Sequence, residues 1–120
     1  MEYHELNVWM KNRELTNAIY EVKKKFPPDE LYGIIAQMRR AAISVVSNIA
    51  EGCGRNHKND SIHFFHIARG SLYELEAQCY ISCDQGFLTC ADLKILLNQI
   101  SDCKKLLNGF INYFETSKLK

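Results

Sequence analysis

Apolar residues recur along this chain at intervals of three and four, the spacing that places them on one side of an α-helix. The clearest series comprises Leu31, Ile35, Met38, Ala42, Val45 and Ile49. Similar series occupy one segment before it and two segments after it. No run of alternating apolar and polar residues is flanked by hairpin turns, and the pattern therefore predicts an all-α fold.

A pair of prolines separates the first two predicted helices. The first should cover about residues 5–25, and Pro27 and Pro28 end it because proline lacks the amide donor of a helix interior. Its inward-facing residues are Val8, Leu15, Ile19, Val22 and Phe26. Asp29 and Glu30 then place negative charge in the first turn of the second helix, where the helix dipole favours it.

Small residues occupy several special positions in the predicted helices. The second helix should end near Cys53, since Gly52 and Gly54 are expected to adopt left-handed conformations that stop a helix. The residues that should let a neighbouring helix approach it closely are Ala41, Ala42 and Ala50. Gly70 and Gly109 lie inside the later helices, where each costs about 1 kcal/mol relative to alanine. We expect close helix contacts at both positions.

The last two predicted helices follow a polar, turn-rich loop. Asn59 or Asp60 is expected to cap the third helix, which should stop near residues 85–86. Its inward residues are Phe65, Ala68, Leu72, Leu75 and Cys79. Thr89, followed three residues later by Asp92, predicts a capping box for the fourth helix. The inward series of that helix is Leu93, Leu96, Ile100, Cys103, Leu107, Phe110 and Phe114.

Short loops require each predicted helix to run antiparallel to the next, so the expected architecture is an antiparallel up-down-up-down four-helix bundle. The length of 120 residues and the 47% hydrophobic content fit one domain over residues 1–120 with a single core. Further apolar residues lie beside the main inward faces, and they are Ile34, Val46, Ile67, Leu97 and Ile111. Because a monomer cannot easily hide these as well, the pattern favours side-by-side oligomerisation.

Several phrases of the sequence resemble one protein family. They are FPPDELYG at residues 26–33, RRAA at 39–42, NIAEG at 48–52 and ARGSLYELE at 68–76. Together they resemble the four-helix-bundle proteins encoded in intervening sequences of bacterial 23S ribosomal RNA genes. That family is related to the accessory variability-determinant proteins of diversity-generating retroelements, which form pentameric barrels and bind nucleic acid and a reverse transcriptase. The resemblance therefore implies a homopentamer with partners of these kinds.

The charge balance bears on those implied partners. Fifteen lysines and arginines against fourteen aspartates and glutamates give a formal net charge of +1. Such a balance is a weak whole-chain argument for nucleic acid, and it departs from the strongly basic retroelement proteins. No stretch approaches the roughly 18 apolar residues that span a bilayer, and the amino terminus carries no export signal. We therefore expect a cytoplasmic protein that does not enter a membrane.

The candidates for catalytic or metal chemistry are few. His63 and His66 lie three residues apart with His57 in the loop before them, but no acidic residue joins the pair on one face. Cys53 with His57 is the sequence-local nucleophile and base, and no third group is placed to orient them. The five cysteines form no CxxC pair, which is typical of buried, reduced thiols. We expect no enzyme, metal or cofactor.

The charged residues divide into two predicted groups. Those expected at the ends of the bundle are candidates for nucleic-acid binding, and they are Lys23, Lys24, Lys25, Arg55, Lys58, Lys118 and Lys120. Those expected to pair within the bundle or at an interface are Arg39, Arg40, Glu51, Arg69, Glu74 and Glu76. Partly buried arginines are normally paired, which favours a structural role for the second group. A ring of subunits would repeat each end cluster around its axis.

These patterns lead to a hypothesis and an alternative. The hypothesis is a non-enzymatic interaction protein that forms a ring-shaped homo-oligomer and associates with RNA or DNA. The alternative is a protein-binding scaffold with no nucleic-acid activity, which the near-zero net charge favours. The expected partners are further copies of the chain, RNA or DNA, and a reverse transcriptase or another protein.

Overall fold

In a computed structural model the chain forms four α-helices, and the structure describes residues 2–117. The helices are α1 (Asn7–Val22), α2 (Ile34–Cys53), α3 (Lys58–Asp84) and α4 (Cys90–Thr116). Short 3-10 helices lie at Tyr3–Glu5, Lys23–Lys25 and Pro28–Tyr32. No strand occurs within residues 2–117, and the all-α prediction is confirmed.

Contacts between helices show the direction in which each helix runs relative to its neighbours. The Trp9 indole, early in α1, donates a hydrogen bond to the carbonyl of Val46, late in α2, at 3.2 Å. At the other end of α1, Lys25 lies 2.7 Å from Asp92 in the first turn of α4. Contacts of α3 with the start and end of α2 and of α4 follow the same order, so each helix runs antiparallel to both of its neighbours, as predicted. The bundle measures 48 × 24 × 21 Å.

All four helices contribute to one hydrophobic core. Its largest fully buried side chains include Leu15, Ile19, Ile35, Met38, Ile49, Phe65, Leu72, Leu75, Ile100 and Leu107. Full burial of a side chain of this size contributes about 1.5–3 kcal/mol relative to leaving it exposed. The predicted inward series of α3 and α4 are confirmed, although Leu93, Phe110 and Phe114 pack at the edge of the core.

The connection between α1 and α2 differs from the prediction. Asp29 and Glu30 lie in the 3-10 helix Pro28–Tyr32 and not in the first turn of α2. The Glu30 carboxylate still accepts a hydrogen bond from the Ile34 amide at 3.3 Å, which satisfies one amide at the start of α2. Leu31, predicted to face inward, is 42% exposed because the 3-10 segment does not continue the 3.6-residue period of α2.

The two helix caps predicted for α3 and α4 have different outcomes. α3 begins at Lys58, so the prediction of Asn59 or Asp60 as its cap is wrong. His57 occupies the cap position, and its carbonyl accepts the Ser61 amide at 3.1 Å, which starts the helix earlier. In α4 the Thr89 hydroxyl accepts the Asp92 amide at 3.1 Å, and this cap is confirmed.

The predicted left-handed glycines at the end of α2 are also wrong. Gly54 has φ −86°, and among residues 2–117 the glycine with positive φ is Gly86, at +80° in the turn between α3 and α4. Gly52 instead permits close approach of α3. A Cβ atom there would lie 2.8 Å from Phe65 Cδ1 and 2.9 Å from the Ser61 carbonyl oxygen.

Gly70 and Gly109 do not make the predicted close helix contacts within the chain. Both are exposed, and a Cβ atom at either position would meet nothing within 4 Å. Packing within the single chain therefore offers no reason for a glycine at these positions.

Candidate interaction surfaces

The lysine run after α1 is engaged with carboxylates. Lys24 lies 3.0 Å from Glu21, and Lys25 lies 2.7 Å from Asp92. The hydrogen bond from Lys25 lowers the pKa of Asp92 below its usual range, and bonds from Thr89 act in the same direction. The side chain of Lys23 lies outside the described part of the chain. Acidic neighbours thus compensate the two described lysines of this predicted binding cluster.

At the opposite end of the bundle, the loop between α2 and α3 meets the end of α4. Lys58 donates a hydrogen bond to the carbonyl of Ser117 at 3.2 Å. Arg55 forms an ion pair with Glu51, and its guanidinium lies 4.7 Å from the centre of the Phe64 ring. The predicted Lys118 and Lys120 lie outside the described residues. Arg55 and Lys58 are therefore brought to one end, but both already have partners within the chain.

Ion pairs of lysine and arginine with glutamate join neighbouring helices. Arg40 on α2 pairs with Glu74 on α3, and Lys104 on α4 lies 2.7 Å from Glu76 on α3. Lys104 also lies 4.0 Å from the centre of the Tyr73 ring. The Arg40 pair is half-exposed, where an ion pair contributes about 0–1 kcal/mol. The Arg40 pair therefore neutralises two charges on the surface of the bundle and adds little to its stability.

The other two arginines predicted to pair have no carboxylate partner within residues 2–117. Arg69 donates to the side-chain oxygen of Asn108 at 3.2 Å and contacts His66 at 2.9 Å. The Arg39 guanidinium lies 4.8 Å from the centre of the Tyr20 ring. Its Nε and Nη2 atoms are buried and have no hydrogen-bond partner among the described residues. A cation–π contact takes the place of the predicted acidic partner of Arg39.

The largest departure from the expected surface lies on α3. A row of exposed apolar and small residues follows the side of this helix that faces away from the core. This outer α3 stripe consists of Ile67, Gly70, Tyr73, Ala77, Tyr80 and Ile81. Of these, sequence reasoning selected Ile67 alone as a residue outside the main core. Tyr73, Tyr80 and Ile81 could have been found by noting that they fall opposite the predicted inward face of α3.

The outer side of α4 is different in character. Ile95 and Tyr113 are 59% and 61% exposed there, but most exposed residues between them on that side are polar. They include Asn98, Asp102, Lys105 and Asn112. Leu97 is half-buried and Ile111 is buried, so the bundle itself covers both of the additional apolar residues predicted on α4. Of the eleven exposed large apolar residues among residues 2–117, four lie on α3, more than on any other helix.

Comparison with known proteins now decides the family. Residues 4–109 match the 23S rRNA-intervening sequence proteins. The chain belongs to that family. A crystal structure from Bacteroides thetaiotaomicron, of a protein with unknown function from the S23 ribosomal protein family, matches with a TM-score of 0.80 and 22% sequence identity. The alignment covers 87% of this chain and 97% of that chain, and it shows a common fold. No curated protein matches the chain.

Three of the four phrases that resemble this family contribute to the contact between α2 and α3. Ala41 and Ala42 of RRAA are buried, and Gly52 of NIAEG packs against the ring of Phe65. Ser71 of ARGSLYELE donates a hydrogen bond to Ser44 at 2.8 Å across the two helices. In this member of the intervening-sequence family, these phrases are therefore largely structural, while Gly70 of the last phrase points outward.

The remaining chemical candidates do not converge within residues 2–117. No group of three or more histidine, cysteine, aspartate or glutamate side chains there is arranged to hold a metal ion. Burial raises the pKa of Cys79 and that of Cys103 to about 12, and it also raises the pKa of Cys53. None of the described helices combines the length and apolar character that crossing a membrane requires.

Proposed function

We propose that this chain is a non-enzymatic interaction module that assembles with copies of itself through the outer α3 stripe. The observation that carries the proposal is the exposure of Ile67, Tyr73, Tyr80 and Ile81 on one side of a single helix. Contiguous apolar surface of this kind marks association sites on proteins. Two side chains of the stripe, Ile67 and Ile81, are 39% and 50% exposed, and each would lose that exposure under a neighbouring subunit.

The small residues of the stripe favour a helix as the neighbour. Gly70 and Ala77 are seven residues apart, which is two helical turns, and lie on the same side of α3. Because their side chains are absent or small, the backbone of another helix can come close at these two positions. The larger residues of the stripe lie before, between and after them along α3. This arrangement supplies the reason for Gly70 that the single chain lacks, since a glycine inside a helix costs about 1 kcal/mol relative to alanine.

Closure into a ring requires the stripe to meet a different surface on the next subunit, because a surface that meets itself gives a dimer. The outer side of α2 offers such a surface. Ile43 is exposed there among small residues, which are Ala36, Ser47 and Ala50. We expect the larger side chains of the α3 stripe to pack over these small residues. The family resemblance implies five subunits.

The assembly can be tested with charged substitutions in the stripe. Ile67→Lys combined with Ile81→Lys should weaken association about a thousandfold, taking about 2 kcal/mol for each isoleucine removed from the interface. Light scattering over a concentration series should give a multiple of the 13.9 kDa chain for the wild type and the monomer mass for the variant. Circular dichroism should show unchanged helicity.

Ile95→Lys is the matched control, because Ile95 is more exposed than either stripe residue but lies on the polar side of α4. It should leave the oligomer intact. A wild-type protein that stays monomeric at micromolar concentration contradicts the proposal, as does equal dissociation by the α3 and α4 variants. A stable wild-type dimer would support self-association but would contradict closure into a ring.

Nucleic-acid association is the second candidate, and one contact favours it. The bond from Lys58 to the Ser117 carbonyl holds the start of α3, next to Arg55, against the end of α4. A ring would repeat this group of basic residues once per subunit around its axis. Against it, Glu51 compensates Arg55, and acidic partners compensate Lys24 and Lys25. The protein-binding role is therefore ranked first.

Arg55→Ala combined with Lys58→Ala should weaken any binding to RNA or DNA without changing helicity or assembly. Since each lost phosphate contact lowers the slope of log affinity against log salt by about one, the slope should fall by about two. Fluorescence anisotropy with a labelled oligonucleotide at several salt concentrations measures this. Lys94→Ala with Lys105→Ala, on the outer side of α4, is the control. Absence of wild-type binding at low salt contradicts this second candidate.

A further inference from the structure

A positive charge on α2 has no acidic partner within residues 2–117. Arg39 lies in the second turn of α2, and its guanidinium packs 4.8 Å from the centre of the Tyr20 ring. Two of its nitrogens, Nε and Nη2, are buried without a hydrogen-bond partner, whereas Nη1 is not buried. A partly buried charge without a partner costs free energy, because its lost hydration is not replaced. Nη1 is the atom at which a carboxylate can approach this guanidinium.

A negative charge on α3 is equally without a partner. Asp84 is the last residue of that helix, is exposed, and takes part in no ion pair or side-chain hydrogen bond within residues 2–117. A carboxylate in the last turn of a helix meets the negative end of the helix dipole, and no basic residue lies in the last turn of α3. Within one subunit, Asp84 is therefore unfavourable to its own helix.

Each of these charges lies on a surface that the proposed assembly brings into contact. Asp84 follows Gly70 and Ala77 at intervals of seven residues, so it continues the side of α3 that carries the outer α3 stripe. Arg39 precedes the exposed Ile43 by four residues, which is about one helical turn. It therefore lies at the edge of the outer side of α2, the surface proposed to receive that stripe.

The two charges also lie near the same end of the bundle. The Ser82 hydroxyl donates a hydrogen bond to Met38 Sδ at 3.5 Å, and these two residues are close neighbours of Asp84 and Arg39 in the sequence. Rotation about an axis parallel to the bundle leaves every residue at its own height. A ring closed by such rotations therefore brings the Asp84 end of one subunit beside the Arg39 end of the next.

We infer that the Asp84 carboxylate of each subunit pairs with the Arg39 guanidinium of the next subunit. The inference rests on the assembly proposed above, and it adds the polar contact that orients the subunits in the same direction. The Tyr20 ring already positions the guanidinium, so little side-chain freedom is lost when the pair forms. Water screens a pair inside an interface less than one on an open surface, and the attraction is correspondingly stronger.

Asp84→Arg tests this pair in the full chain, with light scattering over a concentration series. The variant places two cations against each other, so it should need at least about thirtyfold higher concentration than the wild type to assemble. Asp102→Arg is the matched control, because it makes the same change of charge at an exposed residue on the outer side of α4. It should assemble as the wild type does.

The thermal stability of the subunit separates pairing from a structural role of Asp84. In the Ile67→Lys, Ile81→Lys background, which is expected to be monomeric, Asp84→Arg should leave the melting temperature unchanged or raise it. A cation is favourable at the end of a helix where Asp84 is unfavourable. A lower melting temperature would assign Asp84 to the stability of its own chain and overturn the inference.

Arg39→Glu should weaken association to a similar extent, and mixing it with Asp84→Arg should restore association. In the mixture, the intact Asp84 of one variant meets the intact Arg39 of the other. The mixed sample should therefore associate at concentrations at which each variant alone is a monomer. Circular dichroism checks that both variants are folded. If Arg39→Glu does not fold, Arg39→Gln replaces it, and Asp84→Arg should then weaken association at least tenfold less in the Arg39→Gln background than alone.

The outcomes distinguish this pair from the assembly itself. The inference is overturned if Asp84→Arg assembles as tightly as the wild type, if Asp102→Arg weakens assembly equally, or if the folded variants stay monomeric when mixed. An intact Asp84→Arg oligomer alongside a monomeric Ile67→Lys, Ile81→Lys variant overturns the ion pair alone and supports the α3 surface. A monomeric wild type overturns both.

Discussion

Gly52→Ala should lower the free energy of unfolding by about 2 kcal/mol, within the range of 1–3 kcal/mol typical of an inserted methyl group in a packed core. The added Cβ would lie 2.8 Å from Phe65 Cδ1 and 2.9 Å from the Ser61 carbonyl oxygen. Phe65 is fully buried and the carbonyl belongs to the α3 backbone, so neither neighbour can move away freely. Urea denaturation followed by circular dichroism, at one fixed protein concentration, measures the change.

Gly109→Ala is the control for this substitution. Gly109 also lies inside a helix, but a Cβ there meets nothing within 4 Å. Because alanine is the better helix former, this variant should be more stable than the wild type by up to about 1 kcal/mol. The two identical chemical changes should therefore have opposite signs. An unchanged or raised stability of Gly52→Ala would show that α2 and α3 are not held as closely as the described contact requires.

Glycine also illustrates what the sequence could not decide. Gly52 near a helix end fits two interpretations, a left-handed terminator and a site of close helix approach, since the missing side chain serves both. The spacing of apolar residues cannot separate them. The position of the Phe65 ring on α3 distinguishes the two interpretations, because the ring fills the space where a side chain at residue 52 would lie.

The inward faces of the helices were predictable because burial imposes the helical period directly on the residue types. Ile35, Met38 and Val45 are buried as the spacing indicates. Leu31 fits the same series and is exposed, since the chain upstream of Gly33 winds as a 3-10 helix. Apolar periodicity thus predicts which residues of a helix face the core more reliably than it predicts the residue at which the helix begins.

The candidate surfaces were less predictable, because they depend on which charges meet. Lys25 and Asp92 are far apart in the sequence and form an ion pair where α1 and α4 meet. A lysine run read in isolation suggests a basic patch, whereas the folded chain places a carboxylate against it. In the same way, Arg40 on α2 pairs with Glu74 on α3 although the two residues are far apart in the sequence.

Phe65→Ala should have the largest effect on stability, a loss of about 3–5 kcal/mol in the free energy of unfolding. The ring is fully buried and lies 4.9 Å, centre to centre, from both Phe110 and Phe114 on α4. Its removal takes away contacts with two helices and leaves a cavity beside Gly52. Phe64→Ala is the control, since Phe64 is half-buried and should cost substantially less by the same denaturation measurement.

The double variant Gly52→Ala with Phe65→Ala tests whether these two residues interact as described. Once the ring is absent, the added methyl group occupies part of the vacated space and loses its two contacts with the ring, while the contact with the Ser61 carbonyl remains. The penalty of Gly52→Ala should therefore fall by at least 1 kcal/mol in the Phe65→Ala background, a coupling within the range found for residues in contact. If the two penalties simply add, the ring of Phe65 is not what constrains Gly52.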